Sequence, residues 1–162
     1  MNDTDGCPSD AAIAPGARAL AVGAGRRRYR GLFLHCEYRA QDFGQEPSSV
    51  GHSTALDYES HITAVPVPDA SSDVVLGTEV LEHVPEPIPA VQEMSRILKP
   101  GGMLIVKALL GGLYQEPYHF CAAYTPHRHR EFISEAGFEV ASVERNQGFF
   151  KKLEARLQSP GA

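Results

Sequence analysis

Within residues 72–106 two short apolar runs, Asp73-Val74-Val75-Leu76 and Met103-Leu104-Ile105-Val106, flank a stretch of different periodicity. Each run is apolar without polar alternation, the pattern of a strand covered on both faces. Between them Val91, Met94, Ile97 and Leu98 recur at helical spacing. Lys99-Pro100-Gly101-Gly102 then supplies a basic last turn, a breaker and the glycines that stop a helix. A crossover of this length is what a parallel strand pair needs. The unit therefore commits the chain to an α/β architecture.

The alternation continues on both sides. Ala19-Leu20-Ala21-Val22 has a buried-strand pattern and runs into Gly23-Ala24-Gly25, and residues 26–33 are predicted as a helix carrying Tyr29, Leu32 and Phe33 on its apolar side. A second strand is predicted over 35–40, a polar loop over 45–53, a short third strand over 61–65 and a turn over 66–69. After the fifth strand comes an irregular aromatic segment, 111–123. Thr125 then N-caps a helix with Pro126 at its first position and Gly137 as its stop. Residues 139–143 read as a sixth strand and 149–157 as a closing amphipathic helix. Residues 1–16, rich in Asp, Ser, Ala, Pro and Gly without periodicity, are expected to be a flexible leader, with 17–162 as one domain. This order implies a doubly wound, mostly parallel, Rossmann-like sheet with helices on both faces. Its ligands lie beyond the carboxyl ends of the strands, near the switch in strand order.

Composition excludes several classes. A net charge of -5 provides no global basic field, so phosphate-driven binding to long nucleic acid is not expected. Cys7, Cys36 and Cys121 are odd in number and widely spaced, which argues against a disulfide framework and a cysteine zinc site. No apolar run approaches membrane-spanning length, and residues 1–10 lack the basic-then-apolar order of a signal peptide. The expectation is a cytoplasmic protein with no membrane partner.

Glu79-Val80-Leu81-Glu82-His83-Val84-Pro85, the two strand runs and Arg96-Ile97-Leu98-Lys99-Pro100-Gly101-Gly102 closely resemble the fourth strand, following helix and fifth strand of class I S-adenosylmethionine-dependent methyltransferases, of the type 11-like kind. Gly23-Ala24-Gly25 upstream and Glu135-Ala136-Gly137-Phe138-Glu139-Val140 downstream follow in the family's order. The resemblance implies S-adenosylmethionine as cofactor, with Gly23, Ala24 and Gly25 wrapping its methionine part. Asp42 would accept hydrogen bonds from the ribose hydroxyls. His61 and Ile62 stand where relatives read adenine with an acid and the next amide, and Asp57 is a nearby substitute for the acid. Gly77, Thr78 and Glu79 would border the sulfonium and amino-acid end. Each has a plain structural alternative: a tight turn for the glycines, an Asx turn for Asp42, an exposed strand histidine for His61.

Three departures stand out. Ala21 occupies the place where most relatives carry an acid that helps position the cofactor, and Arg27 replaces the third glycine. With 149–157 read as a helix, the antiparallel seventh strand that completes such sheets is expected to be missing. The C-terminus would then be truncated, leaving an edge exposed or completed by a partner, for instance in a homodimer.

Glu79, Glu82 and His83 form a trio that could hold magnesium or manganese with His119 or His127, though related sequences carry the same trio without metal. The acceptor is expected over 113–124, with His119 as the base, Glu116 as a second acid-base group and several aromatics as walls. The implied function is methyl transfer to a small-molecule or sugar-like acceptor. Two alternatives stay open: a degenerate, non-catalytic binding or assembly partner of the same fold, and a nicotinamide-dependent oxidoreductase. The oxidoreductase reading lacks a full Gly-x-Gly-x-x-Gly because Arg28 occupies the last position.

Overall fold

The computed structural model describes residues 13–43, 56–109, 126–145 and 150–159. Its strands are β1 (Arg18–Val22), β2 (Glu37–Asp42), β3 (Tyr58–Glu59), β4 (Ser72–Thr78), β5 (Leu98–Leu109), β6 (Phe138–Arg145) and β7 (Phe150–Leu157). They form a seven-stranded sheet in the order β3-β2-β1-β4-β5-β7-β6. The pairs among β3, β2, β1, β4 and β5 are parallel, and β7 is antiparallel to both β5 and β6. The two apolar runs of residues 73–76 and 103–106 lie side by side, Val74 level with Met103, Val75 with Leu104 and Leu76 with Ile105.

Both faces of the central strands are buried. One face carries Leu20, Val22, Val75, Leu104 and Val106, against which α1 (Pro87–Ile97) packs Ala90, Val91, Met94 and Ile97 and α2 (Pro126–Glu135) packs Phe132 and Ile133. The helical spacing of those residues is what aims them at one face. The other face gathers Ala19, Ala21, Val74, Leu76, Met103 and Ile105 under Ile13, Tyr29, Leu32 and Phe33. Of the expected leader, residues 1–12 lie outside the described residues, while Ile13 is buried in this second cluster. Among the described residues no helix is long and apolar enough to cross a membrane.

Several expectations are corrected. Residues 26–33 form turns ending in a 3-10 turn, Arg30–Phe33, rather than a helix. Arg27 sits at φ +52, in the left-handed region that no helix residue adopts, and its guanidinium is bound to Asp57 across the sheet. β2 starts two residues later than expected and runs through Asp42. The third strand is Tyr58–Glu59, not 61–65. There the His61 ring bonds the Thr63 hydroxyl at 2.7 Å and Ala64 N–H donates to the His61 carbonyl, a local turn that competes with strand pairing. The predicted stop of α2 holds, with Gly137 at φ +88, while its Thr125 cap and the predicted loops 45–53 and 111–123 lie outside the described residues.

The largest correction concerns the amphipathic helix expected over 149–157: Phe150–Leu157 is strand β7, and residue 149 lies outside the described residues. Leu153, Ala155 and Leu157 alternate with Lys152, Glu154 and Arg156, so the segment satisfies period two as well as the helical spacing. Tertiary context decides: a slot between β5 and β6 supplies hydrogen bonds on both sides, burying Ala155 and packing Leu157 on the first cluster. The seventh strand is thus present.

Arg96, near the end of α1, anchors the loop between β3 and β4. Its Nε and one terminal nitrogen donate to both oxygens of Glu93 at 2.8 Å, and it also donates to the carbonyls of Val65 and Val67. Glu93 in turn accepts from Val65 N–H. The contact with Asp69 adds little, because that carboxylate is 80% exposed. The Arg96 hydrogen bonds hold the Glu93 carboxyl below its usual range against the opposing effect of burial. Arg96→Met therefore costs about 2 kcal/mol at neutral pH by urea unfolding, since it strands Glu93 and two carbonyls. A depressed carboxyl stabilises above its ordinary value, about 4.3, and that contribution is lost as pH falls through the folded value. The gap between wild type and variant should narrow below about pH 4; a constant gap would count against this account.

Candidate functional site

The strand order reverses between β1 and β4, whose carboxyl ends lie level, Val22 beside Gly77. From this seam rise the glycine turn on one side and Thr78-Glu79 on the other. Gly23 lies at φ +60, and a Cβ there would sit 2.2 Å from Val80 Cγ2, so packing alone demands glycine. Gly25, at φ +46, differs: a Cβ built on it meets nothing within 4 Å. The first glycine closes the seam and the second borders open space.

The turn is tied to the end of β2. Ala24 N–H donates to the Gln41 carbonyl at 3.0 Å, Gly23 N–H to Gln41 Oε1 at 3.4 Å and Gly25 N–H to Asp42 Oδ2 at 2.7 Å. Gln41 is buried, and its amide nitrogen donates onward to the Ser60 carbonyl. Asp42 Oδ1 accepts from Phe43 N–H at 2.7 Å. An ionised carboxylate has about four acceptor sites, so this engagement is compatible with further donors such as ribose hydroxyls. Phe43 follows directly, 52% exposed, with its ring edge-to-face on His61 at 5.7 Å. Sequence reading passed over both Gln41 and Phe43. An exposed phenylalanine beside a strand-end acid was the available signal for Phe43, whereas nothing in the sequence marked Gln41.

Ile62 is buried in the first cluster, so only its backbone is left to take part in binding. Asp57 is committed elsewhere: it accepts from Arg27 at 2.7 Å, from Ala40 N–H at 2.9 Å and from Arg39 at 3.0 Å. Burial opposes its ionisation, but the Ala40 and Arg39 hydrogen bonds and the Arg27 charge outweigh it and hold the carboxyl below its usual range. The residue replacing the third glycine thus fastens the turn to the β2–β3 side.

On the other side of the seam, Gly77 is buried, and a Cβ built on it would press on Met94 Cε at 3.3 Å, a packing role. Glu79 stands at φ +53 with its N–H donating to the Lys107 carbonyl at 2.7 Å. Its Oε1 is enclosed and has no hydrogen-bond partner. Lys107, at the end of β5, reaches the Tyr29 hydroxyl at 3.1 Å and lies over that ring, closing the second face below the site. The left-handed residue at 79 interrupts any helix before the 3-10 turn Leu81–His83, so Glu79, Glu82 and His83 do not share one helical face. Among the described residues no three His, Cys, Asp or Glu side chains are grouped as a metal site. His127 is exposed and paired with Glu131 on α2, and His119 and Glu116 lie outside the described residues.

These residues fit an adenosine-bearing cofactor: open space over Gly25, acceptor capacity at Asp42 and an aromatic wall at Phe43 and His61. The family model described as "Methyltransferase domain" matches residues 20–106, just over half of the chain. The Ubiquinone biosynthesis O-methyltransferase of Vibrio cholerae is 34% identical over 79 residues, 42% of this chain and 31% of that protein. The Demethylmenaquinone methyltransferase of Lysinibacillus sphaericus is 29% identical over 105 residues, 58% of this chain and 45% of that protein. The matched region is therefore less than half the length of either relative. Among solved structures, a SAM-dependent methyltransferase from Aquifex aeolicus superposes with TM-score 0.72 at 18% identity, covering 90% of this chain and 84% of that one. The trans-methyltransferase CalH in complex with SAH superposes with TM-score 0.67 at 19% identity, covering 88% and 52%. At these identities the likeness is one of fold.

The two glycines should respond differently to alanine. Gly23→Ala adds a backbone penalty to a clash with Val80 and should cost about 2–4 kcal/mol in urea unfolding. Gly25→Ala has only the backbone penalty, about 1 kcal/mol. Equal losses would contradict the assignment of packing to one and open space to the other.

Proposed function

The chain belongs to the methyltransferase-domain family, whose cofactor is S-adenosylmethionine, and we propose that it binds this cofactor across the β1–β4 seam and methylates a small acceptor bearing a hydroxyl group. The observation that carries the reading is Asp42, a strand-end carboxylate that fixes the amide of Gly25 beside open space. Asp42 accepts the ribose hydroxyls, Phe43 and His61 flank the adenine, and Gly23, Ala24 and Gly25 follow the methionine part. Thr78 and Glu79 border its sulfonium and amino-acid end.

Bound S-adenosylmethionine would supply an electrophilic methyl group. The protein's task is then alignment of the acceptor, with a base needed only where the attacking oxygen carries a proton. We assign that role to His119, with Glu116 as its acid-base companion, both from the segment that leaves the carboxyl end of β5. The aromatics Tyr114, Tyr118, Phe120 and Tyr124 of the same segment suit a flat acceptor. The relatives named Ubiquinone biosynthesis O-methyltransferase and Demethylmenaquinone methyltransferase support a small-molecule acceptor of this kind.

Calorimetric titration with S-adenosylmethionine and S-adenosylhomocysteine tests the reading. Wild type should bind both in the micromolar range, and Asp42→Ala should weaken both by roughly 10–100-fold, the equivalent of one or two charge-assisted hydrogen bonds. His119→Ala should leave both affinities unchanged. Failure of the wild type to bind either compound would overturn the proposal.

A further inference from the structure

We propose that the cavity at the amino ends of β1, β4 and β5, at the opposite end of the sheet from the glycine turn, is a second ligand site that takes a carboxylate with an apolar body, its anionic group on Arg156. The cavity measures 450 Å³, against roughly 300–1,000 Å³ for small-molecule sites. The 13–17 segment, the start of β4, the 99–103 stretch of β5 and Arg156 of β7 line it. None of these residues takes part in the cofactor reading, and the inference does not depend on it.

Three charged side chains border the cavity, and two of them cancel. Lys99 Nζ donates to Asp73 Oδ1 at 2.6 Å, and Arg18 N–H donates to Oδ2 at 2.9 Å. Burial opposes the ionisation of Asp73, but the Lys99 and Arg18 N–H hydrogen bonds outweigh it and hold the carboxyl below its usual range. Arg156 is left as the net cation. Glu139 stands level with it on β6, where a cross-strand ion pair could form. Among the described residues no ion pair joins the two; the guanidinium turns to β5 instead and donates to the Gly101 carbonyl at 3.3 Å. That occupies one of five donors and leaves a planar fork that matches a carboxylate. Gly101, at φ +78, has nothing within 4 Å of a Cβ built on it, so the cavity is open beside the guanidinium. Ile13, Val74 and Met103 supply apolar wall. A guanidinium that passes up the acid level with it and faces an apolar cavity is the juxtaposition that selects an amphiphilic anion.

Octanoate is the probe, with octanamide as its uncharged counterpart and octylamine as its cationic one, titrated into the full chain by calorimetry and by amide NMR. Octanoate should bind with shifts centred on residues 13–17 and 99–103, about fivefold more tightly than octanamide, the worth of one partly exposed charge pair, with octylamine weaker still. Arg156→Gln should weaken octanoate by about the same fivefold and leave octanamide within about twofold, and Arg156→Lys should keep part of the preference. Ala14→Phe, at an exposed residue bordering the cavity, alters no charge and should weaken octanoate and octanamide alike by filling the space, which keeps the test available should the glutamine variant not fold. Failure of octanoate to bind the wild type, equal binding of octanoate and octanamide, or shifts centred on another surface overturns the proposal. Wild-type affinity for octanoate in Arg156→Gln or in Ala14→Phe does so as well.

Discussion

Parallel pairing of β1 with β4 places the glycine turn against the tip of β4. Parallel pairing sets Val22 level with Gly77, so the turn after one strand and the tip of the other must share one small space. Val80 fills the lower part of it against Gly23. Beyond that contact the turn borders open space at Gly25. Because strand order reverses here, the crossovers from β1 and β4 depart in opposite directions, which keeps the space open.

How the glycine turn is held follows from what β1 does not carry. With Ala21 buried among apolar residues, β1 contributes no side-chain polar group at that point, and the turn is fastened from β2 instead, through Gln41, Asp42 and the Arg27–Asp57 pair. Asp42 serves both as a clamp on the turn and as a strand-end acceptor. The local electrostatics are thus shifted by one strand relative to the resemblance. The structural cost is small, since each replacement is a hydrogen bond to a backbone N–H or a short ion pair rather than a new buried charge left alone.

The positions of the candidate cofactor residues were legible before the fold was known, because they lie where strand runs stop. Gly23, Gly25, Asp42, Thr78 and Glu79 all sit at the ends or tips of strands that the hydrophobic pattern had located. What stayed hidden was long-range. Gln41 is an ordinary polar residue until β3 and the glycine turn supply its two partners, and Asp57 looked like a candidate for adenine until Arg27, Arg39 and Ala40 took up its oxygens. Glu79, Glu82 and His83 are not grouped, for a local reason that spacing does not reveal, the left-handed backbone at Glu79.

The sequence by itself determined the architecture: unbroken apolar runs separated by a helical period demand a parallel sheet covered on both faces, and glycine turns locate its ligand end. Tertiary structure alone decided the ambiguous segments. Residues 150–157 fit helix and strand periods alike and became β7 because β5 and β6 offered a slot with hydrogen bonds on both sides. Residues 26–33 lost their helix because Arg27 was drawn into the left-handed region facing Asp57. In both cases the local preference was within reach of a few contacts, and the contacts that tipped it came from residues distant in sequence.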